Sequence, residues 1–518
     1  MRSPQSSRWV CAPFAALLGI TTLQAQTGAA GTGATPSSRA NPLPSSGRQQ
    51  TGTAEATESA SPGTGVATLN SSVQVSGDVG GSVPASSLPP GPISLTLADA
   101  LRLGLGANLG TVSASNSVRA SRAQRTEQLS ALLPNISANA SETVAQVNLA
   151  AYGFQFKVPP GLNFSIPSVV GPFTYSQLQG QLSQTVFDLV QRRNWQASKA
   201  TERASVLSAK DMRETVVLAV GGTYLQVLAL AANVLSQEAQ VNNAQAVYEQ
   251  AQTRKAAGVN AKIDVMRSLV ELQTEQQRLS SVTADLRKRK ITLARIIGVP
   301  LDRELTLSET LHFESSEVPA VNSEIQLAWH NRADLQAAEA QVKAAELALS
   351  AARSERLPSA SVNGNYGVLG PNPTSVHGVF NVTGSINVPI WQGGRVKGDI
   401  QDAEATLDQR RAELADQRAR VEADVRTALI ELQTASTQVQ VAENNRRYAE
   451  ETLTEARDRF AAGVSTTVEV VQAQEQVATA ETDYISSLYS YDLAKLSLTR
   501  ATGNAERALP NLLKGNHP

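Results

Sequence analysis

The chain is poor in the residues on which most compact domains and most metal or redox sites depend. It has one cysteine, Cys11, in 518 residues. That excludes a disulfide framework and a thiolate metal cluster. The four histidines, His312, His330, His377 and His517, never fall at metal-ligand spacing. Neither a metal site nor a cofactor is expected. Aromatic residues make up 4% of the chain, which argues against cores packed around large rings. Charged residues make up 18%, below the usual value of about 25%. The two signs balance, with Lys+Arg 45 against Asp+Glu 46, so a nucleic-acid binder with a dominant basic face is disfavoured. Beyond the N-terminus no run of about 18 apolar residues stands out, so no membrane-spanning helix is expected. No nucleophile–base pair and no phosphate loop is evident, which leaves no ground for an enzyme. Gly104, Gly106 and Gly110 have loop-like spacing but lie inside a predicted helix with no strand before it.

Ala, Gln, Ser, Thr and Val fill the space left by these absences, a mixture suited to long helices with small-residue seams. Arg2 and Arg8 precede an apolar stretch from Trp9 to Leu23, and small and polar residues follow. Residues 1–25 read as a secretory signal, too short and too broken by Pro13 to favour a membrane anchor. Residues 26–92 hold no aromatic and five charges, and are expected to be a disordered low-complexity segment.

The body repeats itself. Arg254-Lys-Ala-Ala-Gly258-Val259 recurs as Arg459-Phe-Ala-Ala-Gly463-Val464, offset by 205. The same offset carries Asp264-Val265 onto Glu469-Val470, and Leu293, Arg295 and Gly298 onto Leu498, Arg500 and Gly503. Leu133-Pro134 matches Leu357-Pro358 at offset 224, so a Gly/Pro-rich insertion lies in the first half, near residues 150–173. Each half reads as helix, two strands, very long helix, Ala-Ala-Gly turn and helix. The predicted units are a first repeat over 93–300, a connector over 301–322, a second repeat over 323–505 and a tail over 506–518. Val217, Val220, Tyr224, Val227, Ala231, Val234 and Val241 keep heptad spacing in the first long helix, as do Val425, Ala428, Leu432, Ala435, Val439 and Ala442 in the second. Each long helix would span about 100 Å.

The strands alternate. Val376 to Ile390 and Ala360 to Val368 place apolar or small residues on one face and Ser, Asn and Thr on the other. Leu178, Gly180, Leu182 and Val186 alternate with Gln177, Gln179, Gln181, Ser183 and Thr185. One apolar and one uncharged polar face over about 10 residues is the pattern of a transmembrane barrel strand. A half-buried soluble sheet is the plainer alternative. Four strands cannot close a barrel, and an open edge in hydrocarbon leaves backbone groups unpaired. The chain must therefore assemble, and three copies would supply twelve strands around a water-filled lumen.

The sequence resembles the TolC family of outer-membrane efflux proteins over about residues 93–505. The resemblance rests on the doubled order of elements, on Leu133-Pro134-Asn135 and Leu357-Pro358-Ser359 before the strands, and on Val388-Pro-Ile-Trp-Gln-Gly-Gly-Arg395 after the fourth. It rests also on the two Ala-Ala-Gly-Val turns. It implies a mainly α fold with a membrane β-barrel: a homotrimer with a 12-stranded barrel in the outer membrane of a Gram-negative-type envelope and a helical tunnel in the periplasm. The implied function is an exit duct, with a periplasmic adaptor and a proton- or ATP-driven inner-membrane transporter as partners.

By the same resemblance, Gly258, Val259, Gly463 and Val464 form adaptor-docking tip turns, and Asp264 and Glu469 form acidic rings at the tunnel entrance. Turn chemistry and helix-dipole stabilisation account for the same residues without those roles. Three positions near the gate depart from the family pattern: Phe460 stands for a tyrosine, Ser465 for an arginine and Gln472 for an acid. Gly393-Gly394-Arg395 reads as a structural bend between barrel and tunnel. The aromatics Tyr152, Phe154, Phe156 and Phe164 are expected in an outward-facing loop. The competing readings are a periplasmic coiled-coil adaptor, which needs only one helical hairpin, and a secreted structural coiled coil, which needs no lipid-compatible strands.

Overall fold

The computed structural model describes residues 52–60, 69–84, 91–153, 167–258, 261–314 and 319–508, all within one unit of residues 38–518. The predicted signal segment, Phe154, Phe156, Phe164 and Val259 lie outside the described residues.

The first repeat begins with β3 (Ile93–Leu95), α1 (Leu97–Ala107) and α2 (Leu109–Ser130). β4 (Asn135–Asn148) and β5 (Val169–Phe187) follow, then α3 (Leu189–Ala256) and α4 (Lys262–Ile297). β6 (Leu305–Leu307) lies in the connector and pairs in parallel with β3. The second repeat gives α5 (Val321–Asn331), α6 (Ala333–Ser354), β7 (Ser359–Gly370), β8 (His377–Asn387), α7 (Arg395–Ala461) and α8 (Thr467–Ala501). The expected order holds, with one difference in each half. The opening helix is broken, at Asn108 in the first repeat and at Arg332 in the second, where the backbone turns extended for one residue. The tail also begins later than expected, because α9 (Ala505–Ala508) packs on α3 through Arg213 and Glu506.

The segment expected to be disordered carries structure. β1 (Gly52–Ala60) and β2 (Leu69–Gly77) form an antiparallel hairpin. Ala54, Val73 and Val79 are buried in the main core beside Val217, Val220, Tyr224 and Leu493. Small residues make this possible. A Cβ at Gly222 of α3 would lie 2.2 Å from Val73 Cγ2. Few apolar residues suffice because the long helices supply the rest of the core.

The apolar runs also need a correction. Part of α3 reaches a mean hydropathy of 1.8 over 18 residues, enough for a membrane span by composition. Most of that stretch is buried, from Val216 to Ala229, so it is the centre of a helical core. Tyr224, within it, donates to Leu95 O at 3.0 Å. The heptad seam of α7 is buried along its whole predicted length, whereas that of α3 is buried only to Val227. The three loop-like glycines have a packing role at one position at least. A Cβ at Gly104 would meet Val220 Cγ2 at 2.6 Å, so α1 approaches α3 closely there.

Candidate functional site

The four long strands form one antiparallel sheet in the order β4-β5-β7-β8. Its exposure is inverted relative to a water-soluble sheet. Phe380, Ile386 and Tyr366 are 78%, 76% and 74% exposed, and Leu178, Val186 and Ile136 are exposed on the same face. The opposite face of β8, with Asn381, Thr383, Ser385 and Asn387, is half-buried. On that polar face Ser183 donates to Asn363 Oδ1 at 2.8 Å, and Asn365 donates to Gln179 Oε1 at 3.1 Å. No Asp, Glu, Lys or Arg lies on it among the described residues. The apolar face carries one acid, Glu142, on the edge strand β4. Apolar side chains turned outward are favourable only against hydrocarbon. β4 and β8 each have one unpaired edge.

α3 and α7 descend from this sheet. Each has nearly seventy residues, so each is about 100 Å long. Gly393 and Gly394 take φ of 61° and 88° where β8 gives way to α7, as a sharp bend requires. At the far end the chain reverses twice. Gly258 and Gly463 have φ of 78° and 79°. Val464 N donates to Arg459 O at 3.1 Å and Gly463 N to Phe460 O at 3.1 Å, which closes α7 with a glycine cap. Val464 is exposed at this tip.

The predicted site residues separate into two groups. Asp264 and Glu469 both lie in the first turn of their helices, where a carboxylate complements the dipole. Among the described residues the cation near Asp264 is Arg267, at 4.0 Å. Glu469 accepts from Ser465 Oγ at 2.5 Å and faces Arg459 at 3.6 Å, so the second tip ties up its own acid. Gln472 is exposed on α8.

Phe460 is buried with Val247, Leu453, Ala456, Val470, Ala473 and Val477, which joins α3, α7 and α8 near the tips. A residue not singled out for the gate completes this cluster. Arg254, at the end of α3, donates to Phe460 O at 3.0 Å and to Ala461 O at 3.3 Å. Its guanidinium also lies 4.2 Å from the Phe460 ring centroid. A cation over a ring and at the carbonyl end of a helix is doubly favoured. Arg254 thus clasps the first hairpin to the second. Its repeat partner Arg459 stays within its own hairpin, facing Glu469; the one difference between the two motifs, Lys255 against Phe460, is the signal that could have marked the ring under Arg254.

Comparison with known proteins agrees with this arrangement. The outer membrane efflux protein family matches residues 111–299 and 325–504. The pyoverdine export outer membrane protein OpmQ of Pseudomonas putida is 24% identical over 310 residues, covering 59% of this chain and 65% of that relative. The probable efflux pump outer membrane protein TtgC of the same species is 24% identical over 412 residues, covering 70% and 79%. Among solved structures, the CmeC outer membrane channel of Campylobacter jejuni superposes with a TM-score of 0.69 at 17% identity, covering 83% of this chain and 91% of that one. The outer membrane protein VceC of Vibrio cholerae gives 0.67 at 18%, covering 79% and 96%. These likenesses carry the fold, and the family match spans both repeats while leaving out the β1–β2 hairpin and the connector. The chain belongs to the outer membrane efflux protein family and is an outer-membrane efflux channel.

Proposed function

We propose that three copies of the chain close a 12-stranded barrel and form a passive exit duct, fed from the periplasmic side by an inner-membrane pump through an adaptor. The observation that carries this reading is the four-stranded sheet with its apolar face outward and both edges unpaired. In hydrocarbon each unpaired backbone group costs several kcal/mol, so the edges must meet other copies. β8 of one copy then pairs with β4 of the next.

The described barrel interior is amides and hydroxyls, so discrimination by charge belongs to the tips. Three copies of Asp264 and of Glu469 would ring the entrance and favour cations. Asp264 is the stronger of the two, because Glu469 is already engaged by Ser465 and Arg459. Gly258, Val259, Gly463 and Val464 offer the end surface to an adaptor. The gate is the clasp of Arg254 on Phe460 and Ala461, which must release before α7 and α8 swing outward. Ser465 acts in it only through Glu469. The chain carries out no chemistry, and the energy comes from its pump.

Purification in detergent tests the stoichiometry. An unheated gel should show a species three times the chain mass, and planar lipid should show discrete conductance steps. A soluble single-copy protein without pore activity would overturn the duct. Asp264→Ala should weaken block by multivalent cations more than Glu469→Ala. Unchanged block in the double variant would remove the ring assignment.

A further inference from the structure

The apolar band of the sheet continues past β8 to the bend that starts α7. Ile390 is 94% exposed and Trp391 86%, and Val186 and Phe187 are exposed at the matching end of β5. Immediately beyond this rim stand three cations: Arg192 in the first turn of α3, Lys397 in the first turn of α7, and Arg356 just after α6. All three are exposed, and none has a side-chain partner among the described residues. Their neighbours are engaged. Arg395 binds Glu355 and Asp399, both at 2.7 Å, Arg353 binds Glu404 at 2.8 Å, and Arg193 donates to Gln196 at 2.9 Å. Most acids at this level are used as well. Glu355 and Asp399 hold Arg395, and Asp188 caps α3 through Gln191 N at 3.0 Å; Glu127 on the last turn of α2 and Asp402 on α7 are the exposed ones. A surplus of cations therefore lies within about 10 Å, along the chain, of an exposed tryptophan rim.

We propose that this collar binds the anionic headgroups of phospholipids in the periplasmic leaflet. The reading rests on the placement of the sheet in the outer membrane. Tryptophan favours the depth of the headgroups, and cations just outside the hydrocarbon attract anionic lipid. The collar is continuous with the lipid-facing band, which favours lipid over a soluble anion in the lumen.

The test uses the full-length channel in detergent, wild type against Arg192→Gln/Arg356→Gln/Lys397→Gln, with phosphatidylglycerol or phosphatidylcholine added. The readout is the temperature at which the assembled species dissociates on an unheated gel. Phosphatidylglycerol should raise it by several degrees for the wild type and phosphatidylcholine should not. The variant should lose the response while keeping its conductance. Arg192→Lys/Arg356→Lys should retain the response, which separates charge from shape. If the triple variant does not assemble, Arg192→Gln/Lys397→Gln is read in its place. Equal stabilisation by both lipids, or a full response in the variant, overturns the collar. A retained response with altered ion selectivity places the cations in the lumen and also overturns it. Failure of the duct reading would show instead as a wild type that forms no pore.

Discussion

The two repeats break their opening helix at equivalent places and hold the break in different ways. Asn108 and Arg332 are separated by the repeat offset of 224 and share nearly the same backbone, φ −63° with ψ 135° and 119°. Asn108 is fully buried. Its Nδ2 donates to Val79 O at 2.7 Å and Ile296 O at 3.2 Å, and its Oδ1 accepts from Gly110 N at 2.9 Å. Arg332 instead binds Asp334 and Asp424, each at 2.6 Å, and Gln417 also donates to Asp334. Even the closing glycines correspond. A Cβ at Gly298 would strike Ala107 and Val83 O, and one at Gly503 would strike the backbone of Asn331 and Arg332. The backbone tolerates either chemistry. The amide version, however, borrows its partner from residues 79–83, so the N-terminal segment is part of the first repeat's core, while the ionic version is complete within its own repeat.

This difference can be broken by substitution. Arg332→Ala should have the largest effect, about 3 kcal/mol, because Asp334 is left sheltered and without its cation. Asn108→Ala leaves two carbonyls and one N–H unpaired in a dry site and should cost about 2 kcal/mol. Denaturant midpoints of the assembled channel measure both. The sharper prediction is that removing residues 52–83, and Val79 O with them, lowers the cost of Asn108→Ala to what Ile296 O and Gly110 N account for, and leaves the cost of Arg332→Ala unchanged. Equal costs in the shortened protein would break the distinction. Gly222→Ala comes next, at about 1–2 kcal/mol, since its methyl must displace Val73 and loosen the hairpin. Protease cleavage within 61–68 should quicken in that variant.

Much of this architecture was legible in the sequence and some was not, for identifiable reasons. The element order follows from patterns of period 2 and 3.5, which act over many residues and survive single exceptions. The tip turns are legible because only glycine suits φ near +78° after a helix. The breaks at Asn108 and Arg332 are not, because each depends on one residue with partners as much as 29 to 188 positions away beside its local one. The β1–β2 hairpin misleads for a related reason. Its composition is that of a linker, and its apolar anchor Val73 joins the core because Gly222 on α3 leaves room for it. Phe460 was singled out for lacking a hydroxyl. The structure uses its carbonyl and ring face, neither of which the substitution removes.

The repeats also differ along α4 and α8. Asp492 on α8 is buried, and its equivalent on α4, Arg287, is exposed. Burial pushes the Asp492 carboxyl up to about 7, against the opposing pull of Lys495 and His312. Its Oδ2 has no hydrogen-bond partner among the described residues. Between about pH 4 and 7 the folded protein holds a proton there that the unfolded chain has released, so stability falls as pH rises through that window and levels off above it. Asp492→Asn should therefore gain stability at pH 8, lose most of the gain by about pH 4, and flatten the slope between. Parallel slopes for variant and wild type would remove Asp492 as the cause. Arg287→Gln, its counterpart, should leave the slope untouched.

The smallest effect on stability should come from the tips, where one difference between the repeats should show in conductance. Arg254 crosses from the first hairpin to the second, whereas Arg459 stays with Glu469. Removing the crossing contact costs two hydrogen bonds and a ring contact at a wet end, about 1 kcal/mol or less, so midpoints should barely move. Conductance should change. Arg254→Gln releases α7 and α8 from α3 and should raise the open fraction in planar lipid. Arg459→Gln frees only Glu469 and should alter cation block without opening the channel. Phe460→Leu keeps the carbonyl and loses the ring, so it should fall between the wild type and Arg254→Gln. If Arg459→Gln opened the channel as readily as Arg254→Gln, release would depend on the general loosening of either turn, and the asymmetry of the two tips would have no bearing on the gate.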